Sequence, residues 1–285
     1  MAAIKLDGVA LSKEMRGKMT DLAADFTKKH GYSVCLAIVQ VGDNPSSESY
    51  VKNNIKLFEQ VGLKTDYRRT EESITQAQLE AIIENINNDP HIAGILLQLP
   101  LPKHINEKQV AAKISPAKDV DGFNAISAGN LYLGNDALAP CTPAGVIELI
   151  KASGESMSGK NAVVLGRSNI VGKPMAMLLL KENATVTICH SKTQDLANVC
   201  SKADILVAAI GKANFVTKDF VKPGALVLDV GINFTEEGKL VGDCKADEVS
   251  EVAGWISPVP GGSGPMTVTM LMYNTYNAAV KLAQK

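Results

Sequence analysis

Residues 163–174 read VVLGRSNIVGKP, an apolar run interrupted by Gly166 and Gly172 with five residues between them. The apolar residues before Gly166 predict a strand, "MAMLLLK" after Pro174 a helix, and "ATVTICHSKT" a second strand. A glycine turn that leaves a strand and enters a helix lets the backbone approach a pyrophosphate and aims free amides at it. The spacing is not that of the usual GxGxxG dinucleotide fingerprint. Nor is it the phosphate loop of ATPases, which needs a Ser or Thr after its lysine where this chain has Pro174. A plain tight turn competes with dinucleotide binding, and the strand, loop, helix, strand setting favours the latter.

The end of the second strand bears on which dinucleotide is held. An NAD site commonly carries an acid there for the ribose hydroxyls, whereas a 2′-phosphate calls for cationic or neutral donors. Here the strand ends in His190, Ser191 and Lys192, with no acid. With Arg167, these can hold a phosphate through charge-assisted contacts. NADP is therefore expected over NAD; the competing reading is that Arg167 and Lys192 only face solvent.

The alternation extends outward in both directions. "ADILVAAIG" and "GALVLDVGIN" read as two more strands, and "WISPVPGGSGPMTVTMLMYNTYNAAVKLAQK" as a Pro/Gly loop followed by a long helix. Earlier in the chain come a helix ending at Gly31, the strand "YSVCLAIVQVG", a helix containing Tyr50 that stops at Gly62, the strand "LKTDYRRT", a helix in "TQAQLEAIIENINND" and the strand "IAGILLQLPLP". Pro100 and Pro102 break that last ladder and put Gln98 at a strand's carboxyl end, the edge where open α/β sheets bind ligands. "ISPAKDVDGFNAISAGNLYLGNDALAPCTPAGVIELI" is rich in Gly, Pro, Asn and Asp and reads as the connection between domains, its Pro143, just before "AGVIELIKAS", suiting the first turn of a helix. Two α/β domains with mainly parallel sheets follow.

Composition narrows the class. The 285 residues suit two domains of about 100–150 residues each. With 29 basic and 30 acidic side chains the net charge is -1, so no general attraction to nucleic acid or anionic membrane is built in. No segment reaches the roughly 20 apolar residues of a membrane span. Five cysteines lie far apart without a CxxC pair, as reduced cytoplasmic thiols do, and Cys141 in "PCTP" reads as a packed thiol rather than a nucleophile. His30, His91, His104 and His190 fall in different elements, and no metal set appears.

Taken together, "YVKNNIK", "GILLQLPLP", "PAKDVDGF", "PCTP", "GRSNIVGKP", "DVGIN" and "PVPGGSGPMT" resemble the methylenetetrahydrofolate dehydrogenase/cyclohydrolase family of one-carbon metabolism, in family order and over nearly the whole chain. The resemblance implies a cytoplasmic homodimer. Its catalytic domain, residues 1–139, would be completed by about 268–285, and a Rossmann-like NAD(P) domain, residues 140–267, would face it across a folate cleft. The implied activity oxidises 5,10-methylenetetrahydrofolate to the methenyl form with NADP, and many members then hydrolyse the product to 10-formyltetrahydrofolate.

Carried over by position, Tyr50, Gln98 and Asp121 match the family's active-site tyrosine, glutamine and pterin-holding aspartate. Gly261, Gly262 and Pro265 match the loop that closes on the folate, with Ser263 replacing a commoner aliphatic residue, a change expected to adjust cleft polarity. Gly166, Arg167, Ser168, Ile170, Gly172, Pro174, His190, Ser191, Lys192, Gly211 and Ile232 fall at implied cofactor positions. Without the resemblance, Asp121 could merely cap a turn, Gln98 could be a surface strand end and Tyr50 a packed helix aromatic.

One position departs. The family has lysine four residues after the tyrosine, on the same helix face, where this chain has Asn54. Lys52 and Lys56 lie about 200° around the helix from it and are poor substitutes. An amide can donate and accept hydrogen bonds but cannot exchange a proton near neutral pH. Dehydrogenase activity is therefore expected to persist and cyclohydrolase activity to be weak or lost, the alternative being a fully bifunctional enzyme. A non-catalytic nucleotide sensor, and a nicotinamide oxidoreductase acting on a small hydroxy or amino acid, are the rival readings.

Overall fold

The alternating pattern is realised in a computed structural model that describes residues 2–284, the side chain of Ser46 excepted; residues 1 and 285, the outer ends of the expected domain ranges, lie outside the described residues. In chain order the elements are β1 (Ile4–Lys5), α1 (Gly8–His30), β2 (Cys35–Val41), α2 (Pro45–Gln60), β3 (Lys64–Thr70), α3 (Gln76–Asn88), β4 (Gly94–Leu97), α4 (Glu107–Ala111) and α5 (Ala125–Leu133). There follow α6 (Cys141–Ala152), β5 (Asn161–Leu165), α7 (Gly172–Lys181), β6 (Thr185–Cys189), α8 (Leu196–Cys200), β7 (Ile205–Ala208), β8 (Leu226–Asp229), β9 (Asn233–Phe234), β10 (Leu240–Val241), α9 (Ala246–Val252), β11 (Trp255–Ile256) and α10 (Ser263–Leu282). The chain divides into two units: Glu14–Ala139 with the residues from Leu271 onward, and the residues up to Lys13 with Pro140–Met270.

In the first unit a three-stranded parallel sheet has the order β3-β2-β4. β2 is an almost unbroken apolar run because it is covered on both faces. Leu79, Ile83 and Ile86, spaced along one face of α3, pack with Ala37, Val39 and Ile95 in the core. The ends of α3 are held chemically. Thr75 and Gln78 form a reciprocal capping box at its start. At its far end the buried Lys118 ammonium donates to the carbonyls of Ile86 (2.9 Å) and Asp89 (2.6 Å). A cation at a helix C-terminus is favoured there; burial lowers the Lys118 pKa, and the nearby Asp89 charge opposes that shift. The later part of α10 completes this unit: the Tyr273 hydroxyl donates to the Met15 carbonyl (3.0 Å), and the Asn274 amide donates to the carbonyls of Val120 and Ala139 (2.8 Å each).

The second unit is built on a six-stranded sheet, parallel throughout, in the order β1-β11-β8-β7-β5-β6. The chain leaves β5 for β6 on one side and then returns past β5 to β7 on the other. This reversal opens the crevice where doubly wound sheets bind ligands.

Two expectations differ from the structure. The opening residues, assigned by sequence to residues 1–139, join the second unit instead, because β1 pairs with β11 and the Leu6 amide donates to the Ile256 carbonyl (2.9 Å). A two-residue strand has no periodicity to betray it. The stretch read as an interdomain connection contains α5, and the Asn and Gly residues that suggested a linker are its caps: the Asn124 side chain accepts from the Ile126 amide (2.8 Å), and Gly134 closes the helix in the left-handed conformation. No helix among the described residues is long and apolar enough to cross a membrane.

Candidate active site

The expected dinucleotide residues collect along one edge of the six-stranded sheet. Leu165, Cys189, Ala208 and Asp229 end β5, β6, β7 and β8, and the Gly166 amide donates to the Cys189 carbonyl (2.9 Å). Gly166 has φ +138°, and a Cβ there would strike the Ala209 carbonyl; one at Gly172 would strike the Gly166 carbonyl. Both positions therefore need glycine for close approach of backbone to backbone. The Ser168 hydroxyl accepts from the amides of Val171 (3.1 Å) and Gly172 (3.2 Å), ordering the entry to α7, while Pro174 is buried in its first turn. Arg167, Ser191 and Lys192 are exposed beside this turn, and Ile170 is 52% exposed. His190 Nδ1 accepts from the Lys192 amide (3.2 Å). The glycine turn, the N-terminus of α7 and the exposed residues Arg167 and Lys192 thus fall at one sheet edge, and helix N-termini and cations are the groups that favour phosphate.

Gly211 and Ile232, on the exits of β7 and β8, meet the same edge, and their support was not read from the sequence. Asp243, fully buried, accepts through Oδ2 from the amides of Ile210 (2.6 Å) and Gly211 (3.1 Å). Its Oδ1 accepts from the Lys212 amide (2.8 Å) and the Asn233 side chain (2.9 Å). Asp229 in turn accepts from the amides of Gly231, Asp243 and Cys244, each at 2.9 Å. Burial raises the Asp229 pKa, and those three amides oppose the rise. The signal lay in a reciprocal pattern, Asp229-Val230-Gly231 and Gly242-Asp243. A Cβ on Gly231 would collide with Asp243, and one on Gly242 with the Asp229 carboxylate.

The Gly261–Gly262–Pro265 loop belongs to this unit too. The Val9 amide donates to the Gly261 carbonyl (3.1 Å), and a Cβ on Gly8 would strike the Gly262 carbonyl. Pro265 lies in the first turn of α10. Ser263, expected to tune cleft polarity, is buried and donates its hydroxyl to the Asp229 carbonyl (3.3 Å), so it ties α10 to β8 instead.

The other candidates stand on the first unit. A short loop from β2 leads into α2, and Gln40 fixes its start by donating to the Gly42 carbonyl (3.2 Å) while accepting from the Tyr67 hydroxyl (3.1 Å). Tyr50 and Asn54 share one face of α2; Tyr50 is 37% exposed and Asn54 0%. Neither Asn54 amide atom has a hydrogen-bond partner among the described residues, the one buried side chain of which that is true there. Lys52, by contrast, is exposed with its ammonium 3.5 Å from Glu48, and Lys56 is exposed as well. Gln98 continues the β4 ladder, its amide donating to the Val39 carbonyl (2.8 Å), and its side chain donates to the Leu99 carbonyl (2.8 Å). Asp119 bridges Ile95 of β4, and half-buried Asp121 lies in the turn just beyond. The cap in "DVDG" is Asp119, which accepts from the amides of Phe123 (3.2 Å) and Asn124 (2.8 Å). Gln98 and Asp121 thus share the carboxyl edge of the sheet. A depression of about 570 Å³ lined by Tyr32, Cys35, Lys64 and His91 lies instead at the amino ends of β2 and β3, away from these residues.

Two family profiles cover most of the chain: tetrahydrofolate dehydrogenase/cyclohydrolase catalytic domain over residues 6–121, and tetrahydrofolate dehydrogenase/cyclohydrolase NAD(P)-binding domain over residues 140–283. The chain belongs to this family. Among its tetrahydrofolate dehydrogenase/cyclohydrolase relatives, the bifunctional protein FolD of Brevibacillus brevis is 53% identical over 285 residues, covering 100% of both chains. The crystal structure of the bifunctional enzyme FolD from Campylobacter jejuni superposes with a TM-score of 0.96 at 46% identity, covering 98% of this chain and 99% of that one. The Trypanosoma brucei enzyme, solved with NADP cofactor and an inhibitor, gives 0.94 at 34% identity over 100% of both. Like them, this chain is an oxidoreductase of the tetrahydrofolate dehydrogenase/cyclohydrolase family, with a catalytic and an NAD(P)-binding domain.

Proposed function

We propose that the protein oxidises 5,10-methylenetetrahydrofolate to 5,10-methenyltetrahydrofolate with NADP, and that Asn54 leaves its cyclohydrolase activity weak or absent. NADP would supply the hydride acceptor. The glycine turn at Gly166–Gly172 fits its pyrophosphate, and Arg167 with Lys192 fits a 2′-phosphate. Tyr50, Gln98 and Asp121 would bind the folate, Asp121 accepting from the pterin's amide and amino groups in paired geometry. Gly261, Gly262 and Pro265 would border the same substrate. The trypanosomal relative's complex with NADP supports the cofactor assignment. The same reading makes the protein a cytoplasmic homodimer, with residues 140–267 as the cofactor domain.

The observation that separates the two activities is the Asn54 amide, buried and without a partner. Hydride transfer needs chiefly alignment of the reacting carbons, and the folate nitrogens provide the electron push. Hydrolysis of the methenyl cation needs water activated and a proton carried between nitrogen and oxygen. A lysine stem is two atoms longer than that of asparagine and ends in a group whose pKa desolvation can lower. The Asn54 side chain is buried and does not ionise near neutral pH, so it can serve as neither general acid nor general base. Loss of acid–base help at this position costs about 10²–10⁴-fold in rate.

A second reading, with hydrolysis intact, is favoured by the relatives' description as bifunctional. One preparation decides between them: NADPH formation from methylenetetrahydrofolate, run also with NAD, and methenyltetrahydrofolate hydrolysis above the spontaneous background. Comparable rates for oxidation and hydrolysis would overturn the role given to Asn54. Absence of NADPH formation would overturn the dehydrogenase assignment.

A further inference from the structure

The loop after β7 borders the sheet's switch point, where doubly wound folds place a dinucleotide. Three successive amides there, on Ile210, Gly211 and Lys212, converge on the two oxygens of Asp243 at 2.6–3.1 Å. Gly211 has φ +67°, the left-handed conformation that lets consecutive N–H groups curl around an anion. Such a concavity is an anion site, and here it is filled from within the protein. The Asn233 side chain adds a fourth donor from the segment that carries Ile232, which is 68% exposed. Asp229 fixes Asp243 in place by accepting from the amides of Gly231, Asp243 and Cys244.

We infer that Asp243 is a positioning residue for dinucleotide binding: it occupies the anion nest after β7, shaping the Gly211 and Ile232 segments as one surface and leaving the pyrophosphate to the Gly166–Gly172 turn. This inference rests on the proposed use of NADP for its second half only. Occupation of the nest is a property of the protein alone. Because the three amides face Asp243, the loop offers a dinucleotide its outward atoms rather than its N–H groups, and so contacts uncharged parts of the molecule.

The test uses the full chain carrying Asp243→Asn, which keeps shape and one acceptor but loses the charge. Hydrogen exchange followed by mass spectrometry is expected to speed up about tenfold or more in the peptide covering residues 210–212, with β5 and β7 still protected, in line with loss of a charge-assisted bond. Unchanged exchange there would overturn the filled nest. NADP affinity, read by calorimetry without folate, is expected to fall about tenfold, while the KM for methylenetetrahydrofolate stays within about twofold. Equal loss of affinity for both ligands, or no loss for NADP, would overturn the positioning role. Should the unaltered protein bind no NADP, the proposed function fails, and the exchange result still decides the nest.

Discussion

Asn54 and Asp243 are both 0% exposed, and their surroundings are opposite. Asp243 has four donors on its two oxygens, whereas the Asn54 amide has no partner among the described residues. A buried polar group that is fully bonded holds backbone segments together; one left unbonded costs stability, by about 1–3 kcal/mol. The difference separates a residue that serves the architecture of its unit from one standing where the fold has no use for an amide. α2 tolerates Asn54 in spite of its chemistry, and the second unit depends on Asp243 because of its chemistry.

Substitutions can sharpen or break that contrast. The largest effect is expected from Asn54→Lys, which should raise methenyltetrahydrofolate hydrolysis by about 10²–10⁴-fold and leave NADPH formation within a few-fold; the fall in methenyl absorbance measures it, and an unchanged rate would show that position 54 is not what limits hydrolysis. Next comes one replacement made at two places. Asp243→Leu strands four donors and should cost about 3–5 kcal/mol in urea denaturation. Asn54→Leu, close to its parent in shape, removes an unbonded amide and should stabilise the protein by about 1–2 kcal/mol. Equal signs for the two leucine variants would break the comparison.

The smallest effect concerns pH. The half-buried Cys35 thiol is pushed up to about 11, first by burial and then by the charges of Asp66 and Asp89. Its folded-state pKa thus lies above the ordinary value of 9.0, so the folded chain holds this proton longer than the unfolded one. The resulting contribution is complete below pH 9.0 and declines as pH rises toward about 11. Denaturation of Cys35→Ser beside the parent at pH 8 and pH 10.5 should show the parent losing more on the alkaline side. At pH 8 iodoacetamide should label Cys35 slowly, because the thiolate is the reactive form.

The parallel sheets were legible because β2, β5, β7 and β8 are apolar runs punctuated by glycine, and the Gly166–Gly172 turn because backbone contact there forbids a side chain. Tyr50 and Asn54 were placed on one helix face by spacing alone. What escaped was structure whose determinants are distant in sequence. β1 is too short to show a pattern, and α5 is marked by caps that also read as linker residues. Asp243 serves amides about 31–33 residues earlier in the chain, so only the folded backbone reveals its partners. Ser263 was misread for the same reason: its acceptor, the Asp229 carbonyl, is 34 residues away.

The pairing of β1 with β11 also has a consequence for biosynthesis. Ile4 leaves the ribosome before its register partner Trp255, which is made 251 residues later. At about 5–20 residues per second, translation keeps that first strand waiting for roughly 10–50 s. The larger sheet meanwhile stays open beyond β8 until β11 arrives to pair with both β8 and β1. Both units thus depend on residues translated late: the six-stranded sheet on β11, and the three-stranded unit on the later part of α10, whose Tyr273 and Asn274 reach back to Met15 and Val120.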